Sequence, residues 1–495
     1  MTKATKTDDR AKFWRWTIVS LAVMFIGGNV IPTFSDIVRS GMQQLCIFLG
    51  MLLMIAGTGD LIAPCLFGFT CMVVNGYMTG NAAVSALFAQ TTVVQLMFLF
   101  AFTWGIGKCG AGHVIAKKVM ALKFVQGRPR LFLTAYLLGM FFSGIFMGSG
   151  VSVPFYMPVW ESVRDEVGYH ADDDLNKFML IGIFVCCVLG AFILPFQGMI
   201  LMYISYFTGL MQEYNFEFNQ MLHICMMIGV GVIFAFLYVN VIVVLMRVDV
   251  SKLRNFDITK MEGMDKKSRT FTNRQKVLLG TFLLCMLYSF VLIFIPKSAP
   301  FYEKYNSISL SVVVMCAMAV LSLFRCKEDG QPYMNLGEVM KNGVVWGNIL
   351  LVAVFIIIGN SIGDTELGIT SSLAKALNGV FGNMPWPVFV VIAITAAVVC
   401  TNFISNMTSA MLIMSAVCPF VGPYVASGIN MSVLCTALII SCMSGYWTPS
   451  AFYTAPILHT REGMNYQFIF SKGLTASLIF IATMSLSTII LGYIL

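Results

Sequence analysis

Runs of about 20 apolar residues follow one another along the chain, and each is long enough to cross a hydrocarbon core of about 30 Å. The runs fall at 14–34, 42–58, 62–78, 93–113, 131–163, 176–210, 218–247, 277–296, 308–325, 345–363, 387–421, 430–458 and 468–494. Two of them, 131–163 and 387–421, read as hairpins that turn back inside the membrane. Two more, 176–210 and 430–458, read as helices broken by Gly and Pro. The pattern predicts an all-α polytopic membrane protein: an inverted repeat with about 11 transmembrane helices, two re-entrant hairpins and two broken helices. The alternating segments of about 10 residues that mark a membrane β-barrel are absent.

Charge then fixes the expected orientation. With a cytoplasmic N-terminus, the inner segments hold the basic residues of 3–15, 117–130 and 247–276, together with Arg325, Lys327, Lys341, Arg461 and Lys472. The outer side keeps Arg39, Lys297, Lys304 and Lys375. This asymmetry holds only if both hairpins return to the side they entered from, the first from the cytoplasm and the second from outside. The basic loop 248–276 divides the chain. Residues 1–61 form N-terminal helices and 62–247 a first repeat with the hairpin 131–163. After the linking helix 277–307, the same order recurs from 308 to 495 with the hairpin 387–421. The apolar run behind the basic N-terminus lacks a small-residue cleavage site and reads as a first membrane helix.

Composition narrows the class. The chain is 58% hydrophobic and 11% charged, against about 25% charged in soluble domains. Its net charge of +8 sits in loops, as orientation signals do, and does not point to nucleic acid. The fourteen Cys are scattered through apolar runs without a CxxC pair. No phosphate-binding loop, metalloprotease or nucleophile-elbow motif appears, so an ATP-driven pump or an enzyme is disfavoured, and no cofactor is expected. The four His lie apart and mostly near expected interfaces.

The candidate chemistry lies in four places. Thr401-Asn-Phe-Ile-Ser-Asn406 sits in an apolar stretch, and Ser143-Gly-Ile-Phe-Met-Gly-Ser-Gly150 lies roughly 255 residues earlier. Each is followed by an interrupted segment, Leu189 to Gly198 and Ser444-Gly-Tyr-Trp-Thr-Pro-Ser450. Small polar residues and helix breakers in matching places of two halves point to a transporter's binding site. Thr401 and Ser405, one helical turn apart, are expected to share a face. With the Asn406 amide they can form a neutral oxygen cage for Na⁺, while the N-terminal end of the second arm favours an anion. Ser444, Gly445, Ser149 and Gly190 join the candidate sodium ligands. Gly148, Ser149, Gly150, Asn406, Thr408, Gln197, Thr448 and Pro449 are the candidate solute ligands. Gly190 with Pro195, and Gly445 with Pro449, are expected to unwind the two broken helices.

These motifs and their layout resemble the divalent anion–sodium symporter family of the wider ion transporter superfamily, over about residues 40–494. In that family a Thr or Ser four residues before a Ser-Asn pair, and the pair itself, help hold sodium; Thr401, Ser405 and Asn406 match this pattern. Met407 stands where the family has a substrate-binding Thr, and Gly148, Ser149 and Gly150 occupy the first-half Ser-Asn-Thr positions. The resemblance implies Na⁺-coupled symport of a small anion, a di- or monocarboxylate above others, by an elevator-like mechanism in a homodimer in the inner membrane. Its partners would be the anionic solute, Na⁺ and membrane lipid. The alternatives are a cation/proton antiporter of the same superfamily and an uncoupled anion channel.

Overall fold

The computed structural model describes residues 3–494 apart from 59, 61, 89–90, 121–126, 197–199, 256–269, 295–299, 301, 309, 345, 383 and 450. Residues 256–269 of the expected basic divider 248–276, and the candidate ligand Gln197, lie outside the described residues. The described regular elements are helical, with one isolated bridge between Arg325 and Pro332. Six described helices are long and apolar enough to cross a membrane: Phe13–Val30, Pro129–Met147, Asp174–Ala191, Gln220–Leu245, Trp386–Phe403 and Tyr466–Ile494. The chain is an all-α polytopic membrane protein.

Both expected hairpins are helix–turn–helix units. The first joins Pro129–Met147 to Ser149–Val167 through Gly148 alone, whose φ of +67° suits glycine. The second joins Trp386–Phe403 to Asn406–Val417 through Ile404 and Ser405. The tips are therefore tighter than the sequence pattern suggested: residues 149–152 and 406–409 already belong to the second arms. The first broken helix runs Asp174–Ala191 and resumes at Ile200–Leu210. The second runs Met431–Met443 and resumes at Ala455–His459. The second arms and the broken helices start at Ser149 and Asp174, then at Asn406 and Met431, a constant offset of 257 residues that the first arms at Pro129 and Trp386 share. A short amphipathic helix precedes each hairpin, Ala111–Met120 and Ile369–Phe381.

Burial ranks these elements. Of Asp174–Ala191, 89% is buried, against 17% of Phe13–Val30, so the first broken helix is central and the N-terminal helix peripheral. Close helix approach in an apolar medium relies on small residues. The Gly359-Asn-Ser-Ile-Gly363 stretch of Trp346–Gly363 packs on Ile200–Leu210 in this way. A Cβ added at Gly363 would lie 2.4 Å from the Gly209 carbonyl oxygen, and one at Gly359 2.9 Å from that of Tyr206.

At one end of the molecule the first hairpin is tied to the loop after the second broken helix by reciprocal ion pairs. Arg461 Nη1 lies 3.4 Å from Glu161 Oε2, and Arg164 Nη2 lies 3.7 Å from Glu462 Oε2. The Glu161 and Arg461 side chains are only 21% and 23% exposed, so this pair is not a free surface contact. Glu161→Arg or Arg461→Glu should each lower stability by about 1–3 kcal/mol. The exchanged double variant should recover at least half of that in thermal unfolding of the detergent-solubilised protein. A double variant no better than the singles would deny the pair any stabilising role.

Candidate functional site

The second hairpin and the second break are built around a residue that the sequence pattern did not single out. Asn402, fully buried in the last turn of Trp386–Phe403, accepts with Oδ1 from the backbone N–H groups of Tyr446 and Trp447, both at 2.8 Å. Its Nδ2 donates to the Val398 carbonyl at 2.7 Å, and its own carbonyl accepts from the Thr448 hydroxyl at 2.8 Å. One amide thus satisfies two of the backbone donors freed where the helix Met431–Met443 stops. An amide suits this because it offers an acceptor and two donors without charge. The signal was present in Thr401-Asn402, but the reading followed the Ser405-Asn406 pair instead.

The remaining second-half candidates surround this clamp. The Thr401 hydroxyl donates to the Cys442 carbonyl. A Cβ at Gly445 would lie 2.9 Å from the Thr401 carbonyl oxygen, so glycine permits the break to press against the hairpin. Asn406 Nδ2 reaches Met443 Sδ at 3.3 Å. Ser405 caps the second arm: its hydroxyl accepts from Thr408 N–H at 3.3 Å and pairs with the Thr408 hydroxyl at 2.9 Å. The expectation that Thr401 and Ser405 share a helical face is corrected. Ile404 is extended (φ −119°, ψ 161°), so the two residues belong to different segments, and the hydroxyls have separate partners. The Ser444 hydroxyl turns back onto the Ser441 carbonyl at 2.7 Å. Pro449 lies in the irregular stretch after Thr448, next to a position outside the described residues.

The first-half candidates divide between packing and the centre. Gly190 lies inside the helix Asp174–Ala191 and does not unwind it; the interruption begins at Phe192. A Cβ at Gly190 would fall 2.0 Å from the Phe141 carbonyl oxygen, so this glycine is a contact surface for the first hairpin. Gly148 forms the tip, and its carbonyl accepts from the Ser152 hydroxyl at 2.8 Å. Ser149 Oγ meets the Tyr453 hydroxyl at 2.5 Å, and a Cβ at Gly150 would touch the Tyr453 ring at 3.4 Å. Tyr453 comes from the second break. The segment 444–454 therefore touches both hairpins, through Thr448 on one side and Tyr453 on the other.

His223 is a further residue to which the sequence pattern gave no role. It is fully buried, donates from Nε2 to the Phe192 carbonyl at 3.0 Å, and pairs through Nδ1 with the Thr436 hydroxyl at 3.0 Å. It does for the first break what Asn402 does for the second. The hydrogen-bonding groups around the tips are hydroxyls, amides and carbonyls; among the described residues no group of three His, Cys, Asp or Glu could hold a metal ion.

No protein-family model matches the sequence, and no curated protein matches it. Solved structures do. The YdaH transporter of Alcanivorax borkumensis superposes with a TM-score of 0.52 at 13% identity, over 92% of this chain and 98% of its own. MtrF of Neisseria gonorrhoeae, described as illuminating a class of antimetabolite efflux pumps, superposes with a TM-score of 0.53 at 14% identity, over 97% of this chain and 98% of its own. At these identities the shared property is the fold, along nearly its whole length. Neither match bears the name of the divalent anion–sodium symporter family, and the fold does not select that family among transporters.

Asn402→Ala should leave the Tyr446 and Trp447 N–H groups without their acceptor, at about 1–3 kcal/mol each. The expected result is a clear fall in melting temperature in detergent, while Asn402→Gln, which keeps a neutral amide acceptor and donor, should lose less. Equal losses for both would mean that the acceptor is not what matters.

Proposed function

We propose that this protein is a secondary active transporter that moves a small organic or inorganic oxyanion together with Na⁺. The observation that carries the reading is the meeting of both hairpins on one helix interruption, 444–454. Irregular backbone is tolerated at membrane depth only where protein or a polar cavity satisfies it. Two broken helices and two hairpins at a constant offset match the repeat architecture in which such sites bind solutes. The two transporters that share the fold support the same class.

The chemistry favours an ion pair. At the second tip two residues separate the end of the helix Trp386–Phe403 from the start of Asn406–Val417, so a negative and a positive helix end adjoin. In this reading Thr401, Ser405 and Asn406, with carbonyls of the break around Gly445, hold Na⁺. The first turns of the second arms, with Ser149, Gly150 and Thr408, receive the anion. An inside-negative potential drives an entering cation by about 2.3 kcal/mol per charge per 100 mV and opposes an anion equally, so excess Na⁺ reverses the penalty. The working unit would be a homodimer with an elevator-like movement, as the family resemblance implies. The efflux pump that shares the fold supports a second reading, in which the same site exports its solute.

Proteoliposomes decide. Uptake of labelled acetate, succinate or sulfate should rise with an inward Na⁺ gradient and fall with choline in its place. Thr401→Val and Asn406→Ala should each weaken apparent Na⁺ affinity about tenfold, equivalent to about 1.4 kcal/mol. Transport that ignores the Na⁺ gradient would remove the coupling. Accumulation only against an outward-directed assay would establish export.

A further inference from the structure

Tyr453 is out of keeping with its surroundings. Its neighbours Phe452 and Thr454 are 2% and 1% exposed, but Tyr453 is 60% exposed. Phe452 anchors the segment, with its ring against Phe184 and Phe192 on the two sides of the point where the first broken helix stops. Tyr453 is thus held from below by buried partners while one side of its ring faces open space. Its hydroxyl lies 2.5 Å from Ser149 Oγ, at the first residue of the second arm of the hairpin. Gly150 leaves room for this: a Cβ there would already be 3.4 Å from the ring.

A phenol oxygen accepts two hydrogen bonds and donates one. Either hydroxyl can donate in the Ser149–Tyr453 contact; when Ser149 O–H donates, the phenol proton is left for a partner on the open side. The first N–H groups of a helix have no intrahelical partner, and their positive end strengthens a donor placed upon them. In the first half, Ser149 stands alone where the second half has Asn406, so the hairpin itself offers little side-chain reach to a solute. Tyr453 supplies it from the other half of the chain.

We propose that Tyr453 is a specificity-determining residue that donates its hydroxyl proton to an oxygen of the transported oxyanion, with Ser149 as the positioning residue beneath it. The inference rests on the transport reading above. No covalent step is involved; one hydrogen bond to a charged acceptor forms on binding, and such bonds discriminate strongly against solutes that lack the acceptor.

The test is Na⁺-driven uptake of labelled acetate, succinate and sulfate by proteoliposomes of wild type, Tyr453→Phe, Ser149→Ala and the double variant. Tyr453→Phe keeps the ring. We expect it to raise KM about tenfold for whichever of the three anions the wild type carries, with maximal rate within about twofold and an unchanged melting temperature. Ser149→Ala should raise KM less, and the double variant should be no worse than Tyr453→Phe. An unchanged KM in Tyr453→Phe overturns the inference while leaving the transport reading intact. A fall in maximal rate and melting temperature at constant KM also overturns it and makes the pair a structural latch. If the wild type carries none of the anions, the transport reading fails in its own arm and the inference falls with it. Should Tyr453→Phe not fold, the KM of Ser149→Ala alone decides, since it breaks the same contact from the hairpin side.

Discussion

A helix that stops inside an apolar fold leaves backbone donors and acceptors that no solvent can meet, and the rest of this structure depends on how they are met. Each orphan in hydrocarbon costs several kcal/mol. In the second break, Asn402 takes two N–H groups and returns its carbonyl to Thr448. In the first, His223 takes the Phe192 carbonyl and fixes itself to Thr436 on the second broken helix. Both residues are bifunctional and fully buried. Each clamp crosses from one element to another, so the breaks are fixed by tertiary contacts and not by local propensity. That is why the irregular segments can sit at the centre of the protein.

The two halves use equivalent positions differently. Gly144 and Thr401 are separated by the same offset of 257 residues as the helix starts. Gly144 presses on the backbone of Cys187 and Ala191, where a Cβ would lie 3.1 Å from each. Thr401 faces the matching stretch of the other broken helix, but through a hydroxyl on the Cys442 carbonyl. The first contact is closed by packing and the second by a hydrogen bond. A cation cage that needs an oxygen at the Thr401 position has no counterpart at Gly144. Gly190, buried against the Phe141 carbonyl, contributes packing at that place. In the proposed reading, this asymmetry assigns the cation to the second half and the solute to the first-half tip, with Ser149 and the borrowed Tyr453.

What was legible in the sequence follows from the range of the forces involved. Apolar runs report burial and lipid contact residue by residue, so the all-helical polytopic class and the placement of the hairpins could be read directly. Glycine and proline marked where helices stop to within a few residues, although Gly190 turned out to serve close packing inside a helix. The other failures were of partner choice. Thr401 and Ser405 looked like one face because helical spacing was assumed across Ile404, whose extended backbone separates them. Asn402 was passed over because its partners, Tyr446 and Trp447, are more than 40 residues away. Tyr453 carried no local pattern at all; its meaning comes from Ser149, in the opposite half. Hydrogen bonds between distant segments leave no periodic trace.

In the proposed reading, coupling of the two solutes arises from this geometry. The tip offers a cation the carboxyl end of one helix and an anion the amino end of the next, with Ile404 and Ser405 between them. Neither ion meets a full countercharge from the protein, so each binds weakly alone. Two opposite unit charges about 5 Å apart attract by about 3 kcal/mol at an effective dielectric of about 20. That is a mutual enhancement of about a hundredfold, and by linkage it acts on both ions equally. A charged ligand set would bind one ion tightly without the other and uncouple them. The neutrality of the site, built from hydroxyls, amides and helix ends, is therefore the feature that makes the movement of one ion conditional on the presence of the other.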